Sequence, residues 1–256
     1  MINTVSIKKP IQALLLGVFS SMLILIGTTV HAARPLVSDD TGTQGTGGYQ
    51  IEVNTDWLRD ANTKTRTATA TLTRGLTETT DIFLDMPFAL SHPMGLNDIG
   101  LGLKWRLFES DGLSLGLKPE LSISSGDQEK QLGDGRSGAA LTFLTQYESG
   151  DWTWLFNVGT ELHRYSSASS QDEYRRYINK ASVGLTYQLD DQWLLILDTG
   201  VQSHVNKSVK KDPRFAIIGL IYSLSEDAEL DVGYKKALNT TEIDRQVGIG
   251  LTYRFK

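Results

Sequence analysis

Apolar and polar side chains alternate along most of this chain, in runs of about ten residues separated by turn-forming stretches. The last run, Arg245 to Phe255 (RQVGIGLTYRF), is the clearest. Val247, Ile249, Leu251, Tyr253 and Phe255 fall on one face; Gln246, Gly248, Gly250, Thr252 and Arg254 fall on the other. A period of two is that of a β-strand. The first run alternates as cleanly, with Tyr49, Ile51, Val53, Thr55 and Trp57 against Gln50, Glu52, Asn54 and Asp56. Further runs follow near 65–75, 82–90, 98–108, 113–124, 138–148, 152–162, 176–189, 193–205, 214–224 and 229–237. The second is weak, carried by Ala68, Ala70 and Leu72, and the third contains Pro87, which a central strand of a soluble sheet would not tolerate. Near 214–224 both faces are apolar, so its register is open as well.

Four runs share the frame G-L-x-[Y/W]-x-[L/F], beginning at Gly102, Gly184, Gly219 and Gly250. Each of the first three runs into a short acidic or polar turn, so an aromatic stands at the same depth each time. Short breaks (near 77–80, 109–112, 149–151, 190–192 and 225–228) alternate with long polar ones (125–137, 166–175 and 206–213). An even count of about twelve strands, alternating loop lengths and an aromatic girdle predict a transmembrane antiparallel up-and-down β-barrel, all-β. A secreted β-sandwich also alternates, but nothing obliges it to set its large aromatics at one level. Gly250, Tyr253 and Phe255 also resemble the C-terminal signal read by the barrel-assembly machinery, although Lys256 follows the aromatic that is usually last.

The N-terminus sets the compartment. Lys8 and Lys9 precede an apolar run from Ile11 to Ile26, and Val30-His31-Ala32 suits a leader peptidase. Residues 1–32 are therefore expected to be a cleaved signal peptide, residues 33–47 an extended segment and residues 48–256 the barrel, in the outer membrane of a Gram-negative cell. Removing the leader's two lysines and no acids moves the formal charge from −5 to −7. An acidic chain without a basic stripe argues against nucleic acid as a partner. The chain has no cysteine, which excludes disulfides, thiol catalysis and Cys-based zinc sites.

The alternation also names what faces the interior. Inward positions include Glu52, Asp85, Lys104, Arg106, Lys118, Glu120, Glu161, His163, Lys180, Asp198, His204, Asp231 and Lys235. Asp85, Lys104 and Lys118 are expected at similar depth, and Glu161 level with Lys180. Both signs are present, as in a salt-bridged network that stiffens a narrow lumen or a polar ladder along a solute path. A twelve-strand barrel has a backbone diameter of roughly 24 Å, enough for small solutes once side chains fill it. Leu144, Leu155, Leu194, Ile196, Phe215, Ile217 and Ile221 form a second, apolar inward patch. Water would penalise it, so either residues 33–47 (above all Pro35, Leu36 and Val37) cover it as a lumen plug, or it guides apolar or aromatic solutes.

The stretch Ala33 to Gly45 (ARPLVSDDTGTQG) with Tyr49-Gln50-Ile51-Glu52 is similar to the start of the outer-membrane transporter family of the MetA pathway of phenol degradation. Gly75-Leu76-Thr77, Leu96-Asn97-Asp98-Ile99 with Lys104, and Asn157-Val158-Gly159 continue the resemblance across the mature chain. It implies an outer-membrane barrel with a transport role and brings no agreed functional residues. The expected partners are outer-membrane lipids and lipopolysaccharide (the latter met by Lys207, Lys210 and Lys211), the assembly machinery and a small-molecule solute; no cofactor or metal is expected. Two other readings stay open: a closed barrel with a structural, adhesion or receptor role, and an outer-membrane lipid hydrolase. For the latter, adjacent Ser203 and His204 would point to opposite faces of a strand.

Overall fold

The computed structural model describes residues 35–256. The leader assigned to 1–32 and the first two residues of the extended segment lie outside them. The strands are β1 (Tyr49–Asp60), β2 (Thr63–Thr77), β3 (Thr80–Ala89), β4 (Gly95–Leu96), β5 (Ile99–Ser110), β6 (Leu113–Ile123), β7 (Gly138–Ser149), β8 (Trp152–Leu162), β9 (Tyr177–Gln188), β10 (Trp193–Gln202), β11 (Arg214–Ser223), β12 (Ala228–Ala237) and β13 (Arg245–Phe255). Two-residue β4 pairs only with β3. The other twelve each pair antiparallel with their sequence neighbours, and β1 pairs with β13 from Tyr49↔Phe255 to Arg59↔Arg245. These twelve strands therefore close on themselves, and none of the twelve has an unpaired edge along the barrel.

Faces follow the alternation, with the polarity of a soluble protein reversed. Val53, Trp57, Val232, Ile249 and Leu251 are exposed, whereas Asn54, Asp56, Asp198 and Thr252 are buried. Such an exterior is stable against acyl chains and not against water. In β11, where both faces are apolar, pairing decides: Ile217 faces in beside Asp198, and Ile218 faces out beside Leu197. Pro87, two residues from the end of β3, also faces the interior and lines a cavity there.

The two-residue turn 61–62 between β1 and β2 lies at the end of the long connections; the other short turns gather at the opposite end, with the start of β1 and the end of β13. There Trp152 meets Tyr187 with ring centroids 4.4 Å apart, Trp193 meets Tyr222 at 4.6 Å, and Tyr49 stacks on Phe255 at 5.3 Å. These rings are cross-strand neighbours and form part of a girdle at one membrane interface. The long connections lie at the other end and carry a 3₁₀ turn (Gln128–Lys130) and one short helix, α1 (Ala168–Glu173).

The lumen as candidate functional site

Residues 35–47 run inside the barrel, and nearly every one has its own partner on the wall. Val37 and Ser38 donate backbone N–H groups to the Asp198 carboxylate of β10 at 2.6 and 2.8 Å. The Ser38 hydroxyl reaches Asp198 and Ser182 of β9, both at 2.9 Å. Asn157 of β8 accepts from the Asp39 N–H and donates to the Asp39 carbonyl, at 2.5 and 3.0 Å. Thr41 meets Ser114 of β6 and Gln146 of β7, and the Gln44 N–H binds the Asp81 carboxylate of β3. At the short-turn rim Gly47 and Gly48 exchange backbone hydrogen bonds with Gly75 of β2, at 3.0 and 2.8 Å. Gly45 and Gly47 take positive φ there, and a Cβ at Gly75 would collide with the Gly45 carbonyl. An extended segment has no ladder of its own, so these wall groups complete its hydrogen bonding.

The ion pairs centre on that segment. Asp39 bonds Lys104 of β5 and Lys118 of β6, both at 2.7 Å, and Asp40 bonds Lys104 at 3.1 Å. Lys118 also lies 4.6 Å from the Phe83 ring centroid. Asp85, placed by the sequence at the level of these lysines, instead accepts the Thr71 hydroxyl at 2.6 Å. The reason is register: β3 sets Asp81 opposite Lys104 on β5 and Asp85 opposite Gly100, four residues away, so the lysines are met by the carboxylates of the segment instead. Glu161 and Lys180 do pair, at 2.6 Å. Arg106 sits near the short-turn rim against the Glu78 carbonyl and Glu109. Lys235 pairs with Glu242 at 3.2 Å, Glu52 accepts from Gln50 at 2.6 Å, and buried Asp231 lies against Gly250.

All seven residues of the inward apolar patch are buried. Leu36 packs on Leu194, Ile196 and Ile221. Pro35 lies over Gly219 and Gly233, where a Cβ would strike its ring. Val37 differs: it is 51% exposed and lines three cavities at once. The first, about 380 Å³, lies between the segment and β1–β6. The second, about 340 Å³, lies against β1 and β11–β13, and the third, about 120 Å³, against β6–β11.

A family model described as "Putative MetA-pathway of phenol degradation" matches residues 32–255. The chain belongs to that family. Solved structures agree on the fold. An outer membrane channel from Pseudomonas putida F1 superposes with a TM-score of 0.66 at 14% identity, over 84% of this chain and 98% of that one. The NanC porin does so at 0.61 and 10% identity (80% and 99% covered), and the KdgM porin at 0.59 and 8% (81% and 99%). A search of curated proteins found no match. This member of the family is thus an outer-membrane β-barrel of porin-like architecture.

At its outer mouth a further cavity of about 690 Å³ is lined by Asn97, Glu129, Asp134, His163, Tyr165 and Tyr174, among others. It shares Pro87 and Asp98 with the 380 Å³ cavity below, so the two adjoin. Asp98 anchors the loop 124–137 by accepting the Gly126 and Asp134 N–H groups. His163, just beyond β8, bonds Asp134 at 2.7 Å and lies 3.4 Å from Glu161. The Asp134 hydrogen bond, then the one to Glu161, hold its imidazole well above the usual range, at about 9, against the opposing effect of burial. His204 meets Asn206, and the Ser203 hydroxyl accepts the Asn179 N–H, so neither binds the other. Among the described residues no group of three or more His, Cys, Asp or Glu could hold a metal ion.

Sequence reasoning singled out the apolar head of the segment and passed over its polar body. Ser38, Asp39, Thr41 and Gln44 are among the residues that bind the wall. Their signal was a run of short hydrogen-bonding side chains, SDDTGTQ, too rich in polar groups to be an ordinary linker beside an inward-facing wall. The wall partners Ser114, Gln146 and Asn157 were equally silent, because one polar inward residue looks like any other until something crosses the lumen.

Proposed function

We propose that this barrel is a channel for small solutes whose lumen is narrowed, and gated, by its own N-terminal segment. The observation that carries the reading is a set of adjoining cavities, from the mouth at Asp98 down to Asp39 and Gln44, that share lining residues and stop at the segment. A purely structural barrel gains nothing from water-filled space, which costs packing. The similar fold of a channel and two porins supports the same reading. Apolar or aromatic solutes would use the inward apolar patch, and Leu36 now covers part of it, so that route opens only when Pro35 and Leu36 leave. Lys210 and Lys211 in the loop beyond β10 would meet lipopolysaccharide phosphates, while Lys207 donates to the Gln171 and Asp172 carbonyls instead. Deleting residues 35–46 tests the central claim in planar bilayers. Single-channel conductance is expected to rise by about twofold or more, since the segment fills much of the cross-section. Unchanged conductance in a heat-modifiable, folded barrel would refute the segment's role, and silence of both proteins would favour the closed barrel.

A further inference from the structure

Counting inward charges along the sequence gives a lumen of mixed sign; pairing them in space does not. The larger lumenal cavity is lined by two cations, Lys104 and Lys118, and both are ion-paired to carboxylates of the segment, Asp39 and Asp40. Glu52, Asp81, Asp85 and Glu120 line the same cavity, and none has an ion-pair partner among the described residues. Glu52, Asp81 and Asp85 are held by neutral donors: the Gln50 amide, the Gln44 N–H and the Thr71 hydroxyl. Such donors orient a carboxylate without cancelling its charge.

The acids are also stepped along the path. Asp98 stands where the mouth cavity joins the lumen. Asp85 and Glu120 flank Gly100 below it, where a Cβ would meet the Glu120 carboxylate, so the missing side chain leaves them room. Glu52 and Asp81 lie lower, near the short-turn ends of β1 and β3. An independent feature of the mouth agrees: the Tyr165 and Tyr174 rings, 5.6 Å apart and tilted by 51°, line its cavity and offer faces that attract cations. The cation facing that cavity, His163, already has Asp134 and Glu161 beside it.

We propose that the channel selects small cationic solutes, organic ammonium or guanidinium compounds among them, and disfavours anions. The inference rests on the channel reading and adds the charge class to it. Uncompensated carboxylates in a narrow, low-dielectric passage raise the local concentration of cations and impose a barrier on anions. The segment contributes by keeping the two lysines neutralised.

The mature full chain, reconstituted in planar bilayers under a potassium chloride gradient, tests this through its reversal potential. A potassium-to-chloride permeability ratio of about 5 is expected, falling at least about twofold in the double variant D85N/E120Q. A ratio at or below one overturns the inference, as does a ratio unmoved in the double variant when heat-modifiability shows that variant folded. Either result with clear conductance leaves the channel reading intact. Should the bilayers stay silent, proteoliposome uptake of arginine against glutamate decides: faster arginine supports the proposal, equal or faster glutamate overturns it. No uptake of either overturns the channel reading and the selectivity with it.

Discussion

Replacing Asp39 with Asn removes one negative charge from the point where the segment meets both lumenal lysines. The substitution keeps the side chain's shape and leaves both Asn157 hydrogen bonds to the Asp39 backbone in place. Lys104 retains Asp40 at 3.1 Å, while Lys118 loses its ion pair. At 2.7 Å the gross attraction of one pair is about 1.5 kcal/mol in water and about 6 kcal/mol at the effective dielectric near a protein surface. The side chains of Asp39, Lys104 and Lys118 are 14%, 16% and 26% exposed, so desolvation has already offset part of this. Breaking a fully buried pair costs about 3–5 kcal/mol; here about 2–3 kcal/mol is reasonable. That lowers the ratio of docked to undocked segment by about 30- to 150-fold. The remaining anchors, at about 1 kcal/mol for each hydrogen bond, keep the segment docked most of the time. The expected result for D39N in single-channel recording is therefore more frequent opening, with the open level of the segment-deleted barrel. High salt should push the natural chain in the same direction, because partly exposed pairs are screened. An open probability indistinguishable from the natural chain, in a variant that folds, would refute the claim that this carboxylate holds the segment.

Val232 lies mid-strand in β12, 44% exposed, between Leu220 and Ile249; V232R should destabilise the membrane-embedded barrel by about 2–4 kcal/mol in urea titrations in lipid vesicles, and no change would refute the assignment of the lipid face. His163, held charged up to about 9 by Asp134 and Glu161, should fasten the loop 124–137. Its folded value lies above the unfolded one of about 6.5, so its contribution is complete below that pH and disappears as pH rises through about 9. Protease cleavage in this loop should then increase above pH 9 in the natural chain and show no such step in H163N; an imidazole titrating near 6.5 by NMR would refute the pairing.

Strand positions and faces were legible along the chain because lipid and lumen impose opposite demands on alternate residues. Each segment carries that pattern without reference to its neighbours, as Val247 to Phe255 against Gln246 to Arg254 shows. The aromatics beside the short turns marked one interface for the same reason. Even β11, apolar on both faces, kept the correct phase, although only its pairing with β10 and β12 made that certain.

Tertiary structure decided the lumen. The pairing of β3 with β5 sets Asp85 opposite Gly100 and not level with Lys104, and Lys104 is met by Asp39, 65 positions away on a segment that belongs to no strand. Leu36 on Leu194, and Pro35 over Gly219 and Gly233, are likewise meetings that no local period encodes. The sequence alone determined a barrel and what its walls present to either side, since those depend on the environment of each strand. Which wall charges remain uncancelled, and so what the passage attracts, depended on where one non-repeating stretch comes to rest, because electrostatic balance is a property of distances in space and not of order along the chain.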